Sequence, residues 1–260
     1  MPSLVLKNVS KRFGGLLAVN DVNMEVPPGR ITGLIGPNGA GKTTVVNMIT
    51  GLLKLSTGSI KLDDADISEA EAHEVAFAGV SRTFQNIRLF TGLSAGENVA
   101  IPALARGASL GDALATADSE LAFVGLEGAG QKRADGLAYG ARRRLEIARA
   151  LAAEPRFLLL DEPAAGMNPE ETDDLARRLK GLPQARGLGL LLIDHDLKFI
   201  MSMCDHVVVL NRGRLIAEDT PAGVQKNPAV IEAYTGTRAS RVSAQHNVEE
   251  TVTTKPRETT

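Results

Sequence analysis

The stretch Gly36-Pro37-Asn38-Gly39-Ala40-Gly41-Lys42-Thr43 decides how this chain folds. It fits G-x-x-x-x-G-K-[ST] at every fixed position. A short apolar run, ITGLI at 31–35, leads into it, and a helix-capable stretch at 42–53 leaves it. Strand, glycine loop and helix in that order make a phosphate cradle. Glycines let the backbone wrap closely round an anion, and successive N–H groups point inward as a nest. The start of the helix adds the positive end of its dipole. Lys42 is placed to reach the β- and γ-phosphates, and the Thr43 hydroxyl to ligate Mg²⁺. Thr44 joins residues 36–43 as a candidate nucleotide-binding residue. The motif predicts a nucleoside triphosphate site and leaves the reaction open.

Working outward, the chain alternates strand-like and helix-like stretches. FLLL at 157–160, LGLLLI at 188–193 and HVVVL at 206–210 are short apolar runs, separated by helical stretches at 170–182 and 197–203. Such alternation predicts an α/β core with a mostly parallel, buried sheet. The first thirty residues differ. LVLKNVSKRF and LLAVNDVNMEV alternate apolar and polar side chains about Gly14-Gly15, as antiparallel strands do. Residues 94–153 are rich in Ala and Leu and read as a helical insertion. From about Thr237 the only large aliphatics are Val242, Val248 and Val252, too few to offset ordering entropy, so 237–260 is expected to be a disordered tail with His246 solvated.

Composition removes whole classes of function. Among 260 residues, 29 basic and 31 acidic side chains give a formal charge of −2, and there is no tryptophan, so neither a basic field nor a stacking surface points to nucleic acid. One cysteine, Cys204, excludes an internal disulfide framework and a cysteine-based zinc site, and reads as a small buried hydrophobe. No apolar run reaches the roughly 18 to 20 residues that span a bilayer. MPSLVLKNVSKRF lacks a signal-peptide apolar stretch, so a cytosolic location is expected, with any membrane reached through a partner.

A second motif narrows the chemistry. Phe157-Leu158-Leu159-Leu160-Asp161-Glu162-Pro163 is an apolar strand ending in two acids. The carboxyl end of such a strand lies beside the glycine loop in open α/β sheets. Asp161 is placed to hold Mg²⁺ directly or through water, and Glu162 to orient or deprotonate the attacking water.

With these residues in place the chain resembles the ATP-binding cassette (ABC) family. Phe84-Gln85 in SRTFQNIRLF looks like the family's Q-loop, whose glutamine senses Mg²⁺ and the membrane subunit. Leu137-Ala138-Tyr139-Gly140-Ala141 and the following RRRLEIARAL look like the signature and its helix. Ala164-Ala165-Gly166-Met167-Asn168 sits where the D-loop belongs, and His195 ends a strand as the family's switch histidine does. Phe13 matches the position that stacks on adenine. The usual signature is Leu-Ser-Gly-Gly-Gln. Here Ala138 replaces the serine, so backbone N–H groups must carry more of the phosphate contact. Tyr139 and Ala141 also depart from it, as does Asn168 in the D-loop. The Arg142-Arg143-Arg144 run would ordinarily be a solvated helix face, here on a helix whose positive end could point at phosphate.

The resemblance implies a P-loop NTPase, RecA-like, with an N-terminal antiparallel β-subdomain. One nucleotide-binding domain would span 1–236, with the helical subdomain at about 94–153. It implies an ATPase using ATP and Mg²⁺, with Glu162, His195, Gln85 and Lys42 catalytic. Thr43, Gln85 and Asp161 would take the metal. The partners it implies are a second ATPase subunit in a homo- or heterodimer, two transmembrane permeases and, indirectly, a substrate-binding protein, at the cytoplasmic face of the inner (plasma) membrane, with no nucleic acid. The Leu-Ala-Tyr-Gly signature, EPAAGMNP and NPAVIEAY are similar to the larger ATPase subunit of branched-chain amino-acid importers. Urea or amide importers and lipopolysaccharide exporters share much of this pattern, and a soluble, non-transport ABC ATPase is the more distant alternative.

Overall fold

The computed structural model describes residues 3–235; the tail expected at 237–260, His246 included, lies outside them. Ten strands form two sheets. β1 (Leu4–Phe13), β2 (Leu16–Val26), β4 (Thr57–Leu62) and β5 (Ala65–Asp66) make an antiparallel sheet in the order β2-β1-β4-β5. The other sheet holds β3 (Ile31–Ile35), β6 (Val80–Arg82), β7 (Phe157–Asp161), β8 (Gly189–Ile193), β9 (His206–Asn211) and β10 (Arg214–Asp219), in the order β10-β9-β3-β8-β7-β6. Its pairs are parallel except for the edge strand β10, which runs antiparallel to β9.

The sequence of the central strands explains why they are central. β3, β7 and β8 are buried at every position. Side chains alternate faces with period two, and here both faces are covered. Leu158, Leu160, Leu190 and Leu192 enter one apolar cluster with the helices. Phe157, Leu159, Leu191 and Ile193 enter another, shared with Leu4, Leu6, Val22 and Ile60 of the antiparallel sheet. That second cluster clamps the two sheets together and sets the glycine loop between them.

The helices follow their capping chemistry. α1 (Lys42–Ile49) starts directly after the glycine loop. It stops at Thr50 instead of running to 53, because Gly51 turns left-handed (φ +68°) against the Ala70 carbonyl. α2 (Ala72–Phe77) follows. Residues 95–151 carry α3 (Ala95–Ala105), α4 (Leu110–Phe123), a 3₁₀ turn at Ala134–Gly136, and α5 (Tyr139–Leu151). The Ser94 hydroxyl caps α3 and Ser109 caps α4. α6 (Pro169–Lys180) starts from a capping box between Asn168 and Glu171 and breaks at Gly181 before α7 (Leu182–Arg186). α8 (Leu197–Met203), α9 (Pro221–Lys226) and α10 (Pro228–Thr235) complete the described chain. Cys204 is buried beside Gly33, and that burial pushes its thiol up to about 12.

Candidate nucleotide-binding site

The glycine loop is dictated residue by residue. Gly36 leaves β3 at φ +152°, where a Cβ would overlap the Leu210 carbonyl oxygen. Gly41, at φ +104°, caps α1, and a Cβ there would lie 2.9 Å from the Ala18 carbonyl oxygen. Side chains are excluded at both points, which leaves the backbone free to curl. Lys42 folds back across the loop and donates to the Gly36 carbonyl at 2.6 Å and the Pro37 carbonyl at 3.2 Å. Burial pulls its ammonium below the ordinary lysine range, while the negative Glu162 and Asp161 pull the other way.

A cleft of about 740 Å³ opens over this loop. Residues 38–44 line it, together with Gln85, Asp161 and Glu162 and with Leu16, Leu17 and Ala18 of the antiparallel sheet. Asp161 ends β7 on the edge nearest the loop. Its N–H donates to the Thr83 hydroxyl at 3.2 Å, and Arg82 Nη2 stands 3.6 Å from its carboxylate. Burial raises its carboxyl above the usual range, against the pull of Arg82. Arg82 also donates to Asn47 of α1 at 2.7 Å, so one buried guanidinium spans the metal-side carboxylate and the helix behind the loop.

Glu162, the next residue, sits at φ +50°, a conformation rare for a side-chain-bearing residue. Its N–H donates to the Ile193 carbonyl at 2.8 Å, and its carboxylate lies 3.3 Å from His195 Nδ1. The left-handed backbone turns Glu162 away from the direction that the strand gives Asp161. Asp194, buried behind His195, accepts from the Asp196 N–H at 2.9 Å and is held above its usual range by burial.

Other expected residues fall elsewhere. Phe13 pairs with Leu16 at the hairpin end and is half exposed, but residues 16–18 and not Phe13 line the cleft. Gly36 and Pro37 also lie outside the lining, acting through their carbonyls on Lys42. Ala138, Tyr139 and Gly140 stand at the start of α5, away from this cleft. The Tyr139 ring packs on Gly166, where a Cβ would come within 2.6 Å of it.

The arginine run corrects the reading of a solvated helix face. Arg143 is fully buried and Arg144 nearly so. Arg143 donates to the Phe84 and Gln85 carbonyls, and Arg144 to the Val124 carbonyl and to Asp174. The helix turns these side chains inward because distant backbone oxygens are there to meet them. Sequence spacing alone does not place Arg82, Thr83, Arg143 or Glu146 beside the Gln85 and Asp161 segments. The only local sign was the i,i+3 spacing of Arg143 and Glu146.

The donors fit a hard divalent cation. A hydroxyl (Thr43), an amide (Gln85) and a buried carboxylate (Asp161) all line the cleft, the oxygen set that Mg²⁺ prefers. Among the described residues no three His, Cys, Asp or Glu side chains come together as a metal cluster.

Fold and site together define a nucleotide-binding cassette. The family model for ABC transporters matches residues 19–165, and the model for branched-chain amino acid ATP-binding cassette transporters matches 214–240. The chain belongs to the ABC transporter family as an ATP-binding cassette, an ATPase whose hydrolysis is coupled to transport. It is 44% identical to BraF of Pseudomonas aeruginosa, a high-affinity branched-chain amino acid transport ATP-binding protein, over 90% of this chain and 98% of BraF. It is 42% identical to LivG of Escherichia coli K12, which carries the same description, over the same shares. A solved ABC transporter cassette, MJ1267 in its ADP conformation, superposes with a TM-score of 0.81 at 32% identity, covering 91% of this chain and 99% of that one. Cassettes of this kind bind nucleotide.

Proposed function

We propose that this chain is the ATP-hydrolysing subunit that energises import of branched-chain amino acids. What carries the reading is one cleft that gathers residues 38–44, Gln85, Asp161 and Glu162 from separated segments of the chain. The match of residues 214–240 and the likeness to BraF and LivG support this cargo over urea, amides or lipopolysaccharide.

Residues 38–44 wrap the phosphates with backbone N–H groups, and Lys42 exchanges the Gly36 and Pro37 carbonyls for the β- and γ-phosphates. Phe13, half exposed at the hairpin end beside the lining residues 16–18, is left to stack on adenine from outside the cleft. Thr43, Asp161 and Gln85 would hold Mg²⁺, which supplies charge neutralisation on the phosphates when bound. Glu162 accepts the proton of the attacking water, and His195, beside it, orients that carboxylate and meets the γ-phosphate. Phosphoryl transfer needs mainly positioning and charge neutralisation, and this set of groups provides both.

The domain spans 1–236, with the helical subdomain at about 94–153. Ala138, Tyr139 and Gly140 do not line their own cleft; they serve the nucleotide of a second cassette facing head to tail. Two permeases and a substrate-binding protein complete the importer. The chain sits on the cytoplasmic face of the inner membrane; among the described residues no helix is long and apolar enough to cross a bilayer. Deleting the gene in its host is expected to lower uptake of labelled leucine, isoleucine and valine but not urea. Unchanged uptake of all three would overturn the cargo.

A further inference from the structure

Residues 84–88 run from the end of β6 toward α3 without helix or strand. Their backbone groups need partners, and two side chains of α5 supply them. Arg143 Nη1 donates to the Phe84 carbonyl at 2.5 Å and Nη2 to the Gln85 carbonyl at 2.9 Å. Glu146 Oε1 accepts from the Phe84 N–H at 3.3 Å and from the Arg88 N–H at 3.2 Å. The two side chains pair with each other at 2.9 Å and are 0% and 1% exposed. The Phe84 ring is flanked by Arg82 at 4.5 Å and Arg88 at 4.1 Å.

A buried ion pair is a poor source of stability, since well-packed apolar residues of like size often do as well or better. Retaining one here calls for a geometric use. The fork of Arg143 matches two successive carbonyls, which a point charge cannot do. It thereby fixes the direction in which the Gln85 side chain leaves for the cleft. The same helix starts at Tyr139, the end that faces a second cassette in the proposed dimer.

We infer that Arg143 and Glu146 are a positioning pair: they weld the 84–88 segment to the helix α5 and so hold Gln85 where it lines the nucleotide cleft. The inference rests on the proposed role of Gln85.

The test uses the full chain and its ATP hydrolysis with Mg²⁺ titrated. Arg143→Lys keeps the charge but reaches one carbonyl. It is expected to fold but to melt a few degrees below wild type, one carbonyl having lost its partner, and to bind ATP within about threefold of wild type, with kcat down about tenfold and the Mg²⁺ half-saturation raised, the cost of a misplaced group. The apolar pair Arg143→Met with Glu146→Leu is expected to fold and to show the same kinetic losses more deeply. Exchanging the two residues restores an ion pair but sets a carboxylate against the Phe84 and Gln85 carbonyls, so it should not recover activity. Glu146→Gln can still accept from both N–H groups but turns its amide NH2 toward Arg143 Nη1 and leaves that charge unpaired, so it should lose activity and melt below wild type. Wild-type kcat and Mg²⁺ dependence in Arg143→Lys, or full recovery on exchange, would overturn the inference, and Arg143→Lys decides the matter even if the apolar pair fails to fold. Failure of the nucleotide reading looks different: Lys42→Ala would then bind ATP as wild type does.

Discussion

Glu162→Gln isolates the proton-accepting step. The substitution keeps the volume of the side chain and its place 3.3 Å from His195. Glutamine bears the φ of +50° no worse than glutamate, so folding stability should not change. The loss is confined to charge and basicity. Of the two carboxylates acting on Lys42, Asp161 remains, and the cleft becomes less negative toward a polyphosphate. Nucleotide affinity should hold or rise. Turnover should fall by the worth of a positioned general base, about 10² to 10⁴, or about 2.7–5.4 kcal/mol of barrier. Phosphate release at saturating Mg-ATP, read beside ATP titration calorimetry and a thermal melt, separates these effects. Turnover within about threefold of wild type, at normal affinity and melting temperature, would refute the role given to Glu162.

Other perturbations are smaller or purely structural. Gly41→Ala forces a Cβ into φ +104° and toward the Ala18 carbonyl; it should cost about 1–3 kcal/mol and lower the melting temperature by about 2–12 °C by calorimetry. Leu190→Ala, in the centre of the parallel sheet, should cost about 2–5 kcal/mol in denaturant titration. Asp174 accepts from Arg144 and Arg178, which hold its carboxyl at about 2 against an ordinary 3.8. A depressed folded-state value means that the stabilisation is present above pH 3.8 and is lost as pH falls toward 2. Asp174→Asn should therefore melt below wild type at neutral pH, with the gap closing between about pH 4 and 2; a gap that does not change with pH would contradict the pairing.

Much of this architecture was legible because the deciding signals are local. The glycine loop, the apolar run ending in Asp161 and the strand ending before Asp194 each show within eight or so residues. The parallel sheet followed from runs too apolar to have a wet face. What escaped was settled by distant partners. β5 and β6 are only two and three residues long, and they become strands by pairing with β4 and β7. α1 ends early because the Ala70 carbonyl leaves room for no side chain at Gly51. Arg143 lies buried because its acceptors come from residues 58 and 59 positions earlier. No helical periodicity carries that information, and a run of three arginines looks the same whether it meets water or backbone carbonyls. At the site, Asp161 and Glu162 show in the apolar strand end and Gln85 through the family resemblance, while the turn of Glu162 and its nearness to His195 depend on a left-handed backbone that spacing does not reveal.

The central claim, that the loop at 36–44 grips a triphosphate through Lys42, is tested most directly by titrating the purified chain with Mg-ATP beside Lys42→Ala. Charge-assisted bonds of about 1.5–3 kcal/mol would be lost, so the variant should bind roughly ten- to a hundredfold more weakly. Equal affinity in the two chains would contradict the account.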